Sequence, residues 1–557
     1  MTNSTQLSYV DSTSDPQRYE RDWVPKVLAY RDKLDKSIKK ESYAPQDIVP
    51  KSIDEAADVT TIPYQVLNDK EIEITDMPAT DLAKKIEKGE LTAVETLYAF
   101  IKRATISHQL THCVTDFFVE EGIKRAHELD EIFAKTGKTV GPLHGIPISL
   151  KEHFKKKGRV CHAGTVGLVD NIVDEDSITT QILDKAGAVF YVRTTEPQTL
   201  MHECSDNNIT GRTACPYNTS LSPGGSSSGE GALVSMGGSA IGVGTDIGGS
   251  IRAPAAFCGC WGLRPTTKRI SMAGCVSALD GQETVYCSMG PFARSCADID
   301  LFMKSYIAME PWQMDASLVP LPWKKIAPPK LTDLRIAIMH QDGVVRPHPP
   351  IERALSYAEA KLKSAGVDVV TWEPYRCLEA FENCLKAYTA DGNFKQKRAL
   401  ALSGEPVLPL SQYALSMGLG DKGLTVVKNH ELNVFRDTLR DEYLQLMNDK
   451  KVDFILSPAS AGTAPRPGTI HYWNYCSLWN ILDMPGIVFP TGLFQDPTVD
   501  VKDNTYTPRN EFEKYEYGLY EPEFFKNAPL CVQLTGRRYQ DESLVKAAEI
   551  LETAIRN

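Results

Sequence analysis

The 557-residue sequence has no long apolar run and no excess of basic charge. A membrane-spanning helix needs about 20 consecutive, mostly apolar residues, so none is predicted. Lysine and arginine number 61 against 72 aspartates and glutamates, which gives a formal net charge of −11. Because nucleic-acid-binding proteins use clustered basic side chains, this balance predicts no nucleic-acid partner.

Signals for secretion, disulfides and metal sites are also missing. Residues 1–40 are polar and charged, without the apolar core of a signal peptide. The 13 cysteines are odd in number and scattered along the chain. Cys258 and Cys260 are the one tight pair, and they lack the two intervening residues typical of zinc clusters. We therefore expect a soluble cytoplasmic protein with reduced thiols, no metal and no cofactor.

The sequence does contain a long stretch rich in glycine and serine, residues 222–266. It reads SPGGSSSGEGALVSMGGSAIGVGTDIGGSIRAPAAFCGCWGLRPT. A flexible linker is one interpretation, but apolar residues are interleaved throughout, which a linker does not need. The other interpretation is a scaffold of exposed backbone N–H groups that ends at Ser250. Small side chains let several amides point at one anion, as an oxyanion hole requires.

The same stretch approximates two motifs of other protein classes. Residues 242–248 (GVGTDIG) approach a phosphate-binding loop of a nucleotide-binding module, but the third glycine falls one residue late and Asp246 would oppose a phosphate. Residues 225–229 (GSSSG) satisfy the nucleophile elbow of α/β-hydrolases, which would make Ser227 the nucleophile. That elbow follows a buried strand, and residues 217–223 (YNTSLSP) do not predict one.

Several motifs together resemble the amidase signature family of serine hydrolases. The central ones are GPLHGIPISLKEHF (141–154), GGSSSGEGA (224–232) and GVGTDIGGSIRAPAAFCG (242–259). Others follow in GLRPT, GQETV and GPFARS within 262–295, and in ILSPASAGTAP (455–465), MPGIVFPTG (484–492) and PLCVQLTGRRYQDE (529–542). The resemblance covers most of residues 76–557. The segments GAVFYV, PQTLM, GRT and GQETV look most like the fungal acetamidase branch.

The resemblance implies an α/β fold: a single large α/β/α domain whose central sheet is mixed, mostly parallel and covered by helices. We assign residues 76–557 to this domain, with a signature core at about 141–294, and residues 1–75 to an N-terminal helical extension packed on it. The residues themselves predict α/β alternation, with a strand at Ile146–Leu150, a helix at Asp176–Ala186 and a strand at Ala188–Val192. Residues 79–135 predict helices, and the last helix is expected to be capped at Asp541.

A Ser-Ser-Lys triad is also implied by the resemblance. Ser250 is the expected nucleophile, Ser226 the proton bridge, and Lys151, at the end of the first predicted strand, the base. A serine hydroxyl is a poor nucleophile until a base removes its proton. No histidine occurs between His202 and His340 to take that role locally.

Further residues are expected around the triad. The resemblance implies a cis peptide between Gly225 and Ser226, and Ser228 stands where the family commonly has glycine. If position 228 needs a positive φ, serine there costs on the order of 1 kcal/mol. The expected oxyanion hole and substrate contacts are Ile247, Gly248, Gly249, Ser250, Ser226 and Leu200, and the expected loop supports are Asp246 paired with Arg252, and Ser227.

The resulting hypothesis is an amidohydrolase that converts a small-molecule carboxamide to a carboxylate and ammonia or an amine through an acyl-enzyme. A short aliphatic amide such as acetamide is the favoured substrate. Fatty acid amides, indole-3-acetamide and aryl amides are the alternatives within the family. The A subunit of glutamyl-tRNA amidotransferase shares the signature but works with partner subunits, and the N-terminal extension argues against it. A homodimer is left open.

Overall fold

The computed structural model describes residues 13–277 and 279–557. Within them, eleven strands form one sheet. The strands are β1 (Val114–Phe117), β2 (Pro147–Lys151), β3 (Val189–Thr194), β4 (Ile241–Asp246), β5 (Trp261–Arg264), β6 (Ser288–Ala293), β7 (Arg335–Ile338), β8 (Asp368–Thr371), β9 (Phe454–Ser457), β10 (Gly486–Phe494) and β11 (Pro529–Thr535).

The strand order is β1-β3-β2-β4-β6-β5-β10-β11-β9-β7-β8. The pairings of β2 with β3 and β4, and of β7 with β8 and β9, are parallel. The other neighbouring strands pair antiparallel. The expected mixed α/β sheet is confirmed, but the expectation of a mostly parallel sheet is wrong. In the middle of the sheet, β6, β5, β10 and β11 pair antiparallel and connect two parallel groups, and β1 adds a further antiparallel strand at one edge.

Helices flank the sheet and supply much of the buried apolar surface. Residues of β2, β3 and β4 are buried along their whole length, as expected for strands covered on both faces. The helices are α1 (Pro16–Arg18), α2 (Val24–Ser37), α3 (Asp69–Asp76), α4 (Ala79–Glu87), α5 (Ala93–Thr111), α6 (Val119–Thr136), α7 (Ile178–Lys185), α8 (Ser228–Ser235), α9 (Arg252–Cys258), α10 (Cys296–Ala308), α11 (Pro349–Ser364), α12 (Cys377–Tyr388), α13 (Phe394–Ser403), α14 (Pro409–Ser416), α15 (Val426–Asp449), α16 (Asn474–Ile481), α17 (Glu511–Gly518) and α18 (Asp541–Arg556). No helix in the described ranges has the length and apolarity to cross a membrane.

The N-terminal segment lies against the rest of the chain, and its first twelve residues are outside the described ranges. A single π turn joins α1 to α2. Val27 of α2 packs with Val166, Val169 and Ile209, and the Tyr30 hydroxyl donates to the Thr115 carbonyl at 2.9 Å. These contacts stabilise the segment on the edge of the sheet near β1.

Two local predictions need correction. The range 79–135 contains α4, α5 and most of α6 as expected, but it also contains β1, a short strand that pairs antiparallel with β3. Asp541 is the first residue of α18 and does not cap it, because its carboxylate accepts the Thr266 N–H and hydroxyl at 2.7 and 2.9 Å. That carboxylate therefore ties α18 to the chain after β5.

Candidate active site

Lys151 is the last residue of β2 and is fully buried. Its Nζ donates to Ser226 Oγ at 2.7 Å and to Thr245 Oγ1 at 3.2 Å. Burial lowers the pKa of Lys151, because a low-dielectric environment disfavours the ammonium form. A buried strand end with hydroxyl partners thus holds a lysine that is closer to neutral than a free one.

Two carboxyl groups follow β2 and β3 directly. Both oxygens of Glu152 are occupied by backbone amides, those of His162 at 2.7 Å and Ala163 at 2.9 Å. Glu196 is fully buried, and its pKa is raised well above the usual range by burial and by the nearby Glu152. Neither carboxylate forms an ion pair with Lys151 among the described residues.

Glu152, His162 and Glu196 are also the group in the described ranges that could offer three ligands to a metal, with ligand atoms within 4.8 Å of one another. The site is a poor fit for a cation. Glu152 already accepts two amides, and the Arg193 guanidinium lies 3.9 Å from its carboxylate. The structure supports a charge-balanced buried cluster in place of a metal centre.

Ser226 and Ser250 lie in two turns that contact each other. The Gly225–Ser226 peptide is cis, as the resemblance implies. The Ser227 N–H donates to the Ser250 carbonyl at 3.2 Å, which holds the turns together. No hydrogen bond joins the hydroxyls of Ser226 and Ser250 among the described residues, so the link between bridge and nucleophile is not made in this structure.

Ser227 and Ser228 occupy supporting positions. Ser227 is fully buried, and its hydroxyl donates to the Thr245 carbonyl at 3.3 Å while accepting the Thr245 N–H at 3.3 Å. A hydroxyl held this way against β4 is not the exposed serine that a nucleophile elbow needs. Ser228 begins α8 and has no positive φ, so the cost considered for serine there does not arise.

The expected anion cradle follows β4. The amides of Ile247, Gly248 and Ser250 have no hydrogen-bond acceptor among the described residues and are available to an anion. The Gly249 N–H donates to Asp246 Oδ1 at 2.9 Å, so counting it as a free donor was wrong. Asp246 thereby shapes the loop that presents the other amides.

Asp246 and Arg252 form a fully buried ion pair below this loop. The guanidinium donates from Nε and Nη2 to the two carboxylate oxygens, both at 3.0 Å. It also donates to Asn480 Oδ1 at 2.5 Å and Gln533 Oε1 at 2.7 Å. The arginine charge and the hydrogen bonds overcome desolvation and lower the pKa of Asp246 to about 2. The pair is therefore charged at neutral pH and fixes the loop.

Ser250 is 8% exposed and lines a small cavity. Leu200 contributes to this cavity, as expected, and to a second, larger one. Both Thr199 and Leu200 have left-handed backbones, with φ of 66° and 62°, which is uncommon outside glycine. The lining residues are Leu200, Met201, His202, Glu203, Ile247, Gly248, Ser250, Tyr388 and Trp473.

The sequence interpretation missed six residues of this site, which are Thr245 and, in the cavity lining, Met201, His202, Glu203, Tyr388 and Trp473. Thr245 is the second partner of Lys151, and its place one residue before Asp246 could have suggested a contact. Tyr388 and Trp473 come from α12 and from the residue before α16, far along the chain. Glu203 lies three residues after Leu200 in the segment LMHECSD (200–206), and its closeness to Leu200 was the available signal.

Known proteins that resemble this chain in sequence are amidases. The Amidase family model matches residues 95–545. The chain is 39% identical to an acetamidase of Aspergillus oryzae over 95% of this chain and 98% of the relative. It is likewise 39% identical to an acetamidase of Emericella nidulans over 87% of this chain and 90% of the relative.

Solved structures agree in fold. A structure described as a fatty acid amide hydrolase is 47% identical, with a TM-score of 0.96, and the match covers 99% of this chain and 98% of that one. A bacterial aryl acylamidase of the amidase signature family is 19% identical with a TM-score of 0.69, which shows the shared fold alone. From the family match, the close relatives and the fold, the chain belongs to the amidase signature family and is an amide hydrolase.

Proposed function

We propose that this chain hydrolyses carboxamides through an acyl-enzyme on Ser250, with Ser226 as proton bridge and Lys151 as base. One observation carries the proposal. Nζ of the fully buried Lys151 lies 2.7 Å from Ser226 Oγ, and the turn that contains Ser226 contacts the turn that contains Ser250. Burial lowers the pKa of Lys151, so its amine accepts and releases a proton more readily at neutral pH than a free lysine does.

The acylation step uses the two hydroxyls in sequence. The neutral amine of Lys151 takes the proton of Ser226, Ser226 takes the proton of Ser250, and Ser250 Oγ bonds to the carbonyl carbon. The negative charge that develops on the carbonyl oxygen is stabilised by the free amides of Ile247 and Gly248. The step requires the Ser250 hydroxyl to rotate towards Ser226, since catalytic hydrogen bonds often close only when substrate is bound.

The same relay returns a proton when the C–N bond breaks. An amide expels a protonated amine far more readily than an amide anion, so Ser226 donates to the leaving nitrogen and is reprotonated by Lys151. Water then attacks the carbonyl carbon of the acyl-enzyme. Ser226 and Lys151 take the proton of the water and return a proton to Ser250 Oγ as its bond to the acyl group breaks. Carboxylate and ammonia or an amine are the products.

The proposed substrate is a short aliphatic amide such as acetamide. The cavity at Ser250 has a volume of about 20 Å³, which is room for roughly one water molecule. A short acyl group such as acetyl therefore needs less rearrangement of this cavity than a long one. The acetamidase relatives support this choice.

A fatty acid amide is the second candidate, because of the larger cavity that Leu200 also lines. That cavity has a volume of about 270 Å³ and is lined largely by apolar side chains, among them Leu168, Val276, Phe394 and Leu402. A long acyl chain that passed Leu200 would reach it. The 47% identity to a fatty acid amide hydrolase supports this alternative.

A chain-length series separates the two candidates. Purified single-chain protein is assayed for ammonia release with primary amides from acetamide to dodecanamide. Highest kcat/KM for the two- to four-carbon amides supports the first candidate, and a maximum beyond eight carbons supports the second. Absence of activity until another subunit is added would contradict a self-sufficient amidase.

Labelling with a fluorophosphonate tests the nucleophile directly. Wild-type protein should be labelled and Ser250→Ala should not. Labelling that survives in Ser250→Ala but disappears in Ser227→Ala would transfer the nucleophile to Ser227.

A further inference from the structure

Glu203 has an unusual state for a buried carboxyl group. It is 4% exposed, and neither carboxyl oxygen has a hydrogen-bond partner among the described residues. A buried polar group without a partner is destabilising, so such groups are rare unless they bind something. The mechanism proposed above makes no use of this side chain.

The carboxyl group lies against the catalytic loop. Glu203 lines the same cavity as Ser250. A methyl group built on Gly249 would lie 2.3 Å from Glu203 Oε1, so the carboxyl group packs directly on the backbone between Gly248 and Ser250. This close approach is a reason for glycine at position 249.

The environment also determines the form of the carboxyl group. Burial and the carboxylates of Asp246 and Glu516 raise the pKa of Glu203 well above its usual range, against the opposing effect of Arg252. These influences favour the uncharged acid form of the side chain. It offers a carbonyl oxygen as acceptor and a hydroxyl as donor.

The polar groups of the cavity complement a primary carboxamide. Donors are present in the free amides of Ile247 and Gly248, and they suit the substrate carbonyl oxygen. The two substrate N–H groups need two acceptors, and the Tyr388 hydroxyl, which donates its proton to the Ile247 carbonyl at 2.7 Å, can supply one of them through its oxygen. Glu203 supplies oxygens that nothing in the described protein occupies.

We propose that Glu203 is a specificity-determining residue whose carboxyl oxygen accepts a hydrogen bond from the N–H of a primary amide. The inference rests on the proposed function and goes beyond it by assigning the nitrogen side of the substrate. An ester of the same acyl group has no N–H, and a dialkylated amide has none either. The enzyme should therefore favour the primary amide over both through this residue.

The test compares three substrates of one acyl group, the one selected by the chain-length series: the primary amide, the N,N-dimethyl amide and the methyl ester. In Glu203→Leu, the amide-to-ester ratio of kcat/KM should fall at least tenfold. Glu203→Gln keeps a carbonyl acceptor in the same place and should recover most of that ratio. A ratio within twofold of wild type in Glu203→Leu would overturn the proposal.

Two control variants test whether the effect belongs to Glu203 itself. His202 also lines the cavity and has an unpartnered Nδ1, so an equal fall of the ratio in His202→Leu would show that Glu203 is not the selective acceptor. Glu405 is buried but its carboxylate accepts from Gln198 and Asn208 at 2.7 and 2.8 Å. Glu405→Gln should leave the ratio unchanged even where it lowers stability.

Fluorophosphonate labelling separates failure of this inference from failure of the proposed function. The probe has no N–H, so Glu203→Leu should be labelled at Ser250 at a rate within threefold of wild type, which also shows that the variant is folded. Normal labelling with an unchanged ratio overturns the role of Glu203 alone. Labelling that does not depend on Ser250 overturns the proposed function.

Discussion

Two fully buried cationic side chains belong to the site around Ser250, and their partners differ. Lys151 contacts the hydroxyls of Ser226 and Thr245. Arg252 contacts both oxygens of Asp246, together with side-chain oxygens of Asn480 and Gln533. The hydrogen-bond partners of Lys151 are thus neutral hydroxyls, whereas those of Arg252 include a carboxylate.

The difference shows that burial alone does not decide the protonation of a cation. Desolvation is the largest influence on both groups and lowers both pKa values. For Arg252 the charge of Asp246 more than reverses this effect, and the pKa of Arg252 ends raised. For Lys151 the charges of Glu196 and Asp246 act in the raising direction but do not overcome desolvation, and the pKa ends lowered. The site thus combines a lysine suited to moving protons with an arginine that stays charged and fixes a loop.

Removing the proton acceptor is expected to have the largest effect. Lys151→Ala should lower kcat/KM for the amide by about 1,000-fold, within the range of a general base, and should affect the matching ester less because an alkoxide leaves with less help. Lys151→Arg should be as inactive, because guanidinium stays charged. Steady-state ammonia release measures both variants, and kcat/KM for Lys151→Ala within about threefold of wild type would contradict the assignment.

Breaking the charged pair should act on stability. Asp246→Asn leaves Arg252 buried with no carboxylate, and we expect a loss of about 3 to 5 kcal/mol in the free energy of unfolding. Urea denaturation followed by tryptophan fluorescence measures it. Asp32→Asn, in the exposed Asp32–Lys36 pair of α2, is the matched control and should cost under about 0.5 kcal/mol. Equal losses in the two variants would show that burial is not the source of the effect.

The sequence predicted the local parts of this site well, because they lie in contiguous motifs. Lys151 lies at the end of a strand as predicted, and the turn of Ser226 contacts the turn of Ser250. The catalytic roles themselves stay predictions. Backbone strain would be expected at Ser228 only if it had a positive φ, and Ser228 begins α8 without one.

Long-range features could not be read from the sequence. The directions of β5, β6, β10 and β11 depend on which strands become neighbours, and short apolar runs do not encode that choice. The engagement of the Gly249 amide by Asp246 depends on the three-dimensional course of the loop. Tyr388 and Trp473 reach the cavity from distant helical regions, and no motif near Ser250 points to them.

The smallest expected effect is the acid titration of the charged pair. Asp246 has a pKa of about 2 in the folded chain against an ordinary value of 3.8. The folded state therefore binds the proton less readily than the unfolded state. The resulting stability is fully present above pH 3.8 and is lost as the pH falls through 2. The lowered pKa of Lys151 affects the free energy of unfolding in a different pH range. Burial of this lysine costs stability below its folded pKa, and that cost disappears as the pH rises from the folded pKa to the ordinary 10.5.

The Asp246 contribution amounts to about 2 kcal/mol, since one pKa unit corresponds to about 1.4 kcal/mol. Other carboxylates titrate in the same range, so the quantity to measure is the difference in unfolding free energy between wild type and Asp246→Asn. This difference should shrink by about 2 kcal/mol between about pH 5 and pH 2, because asparagine has no proton to gain. A constant difference for Asp246→Asn would mean that the Arg252 charge does not hold this carboxylate ionised.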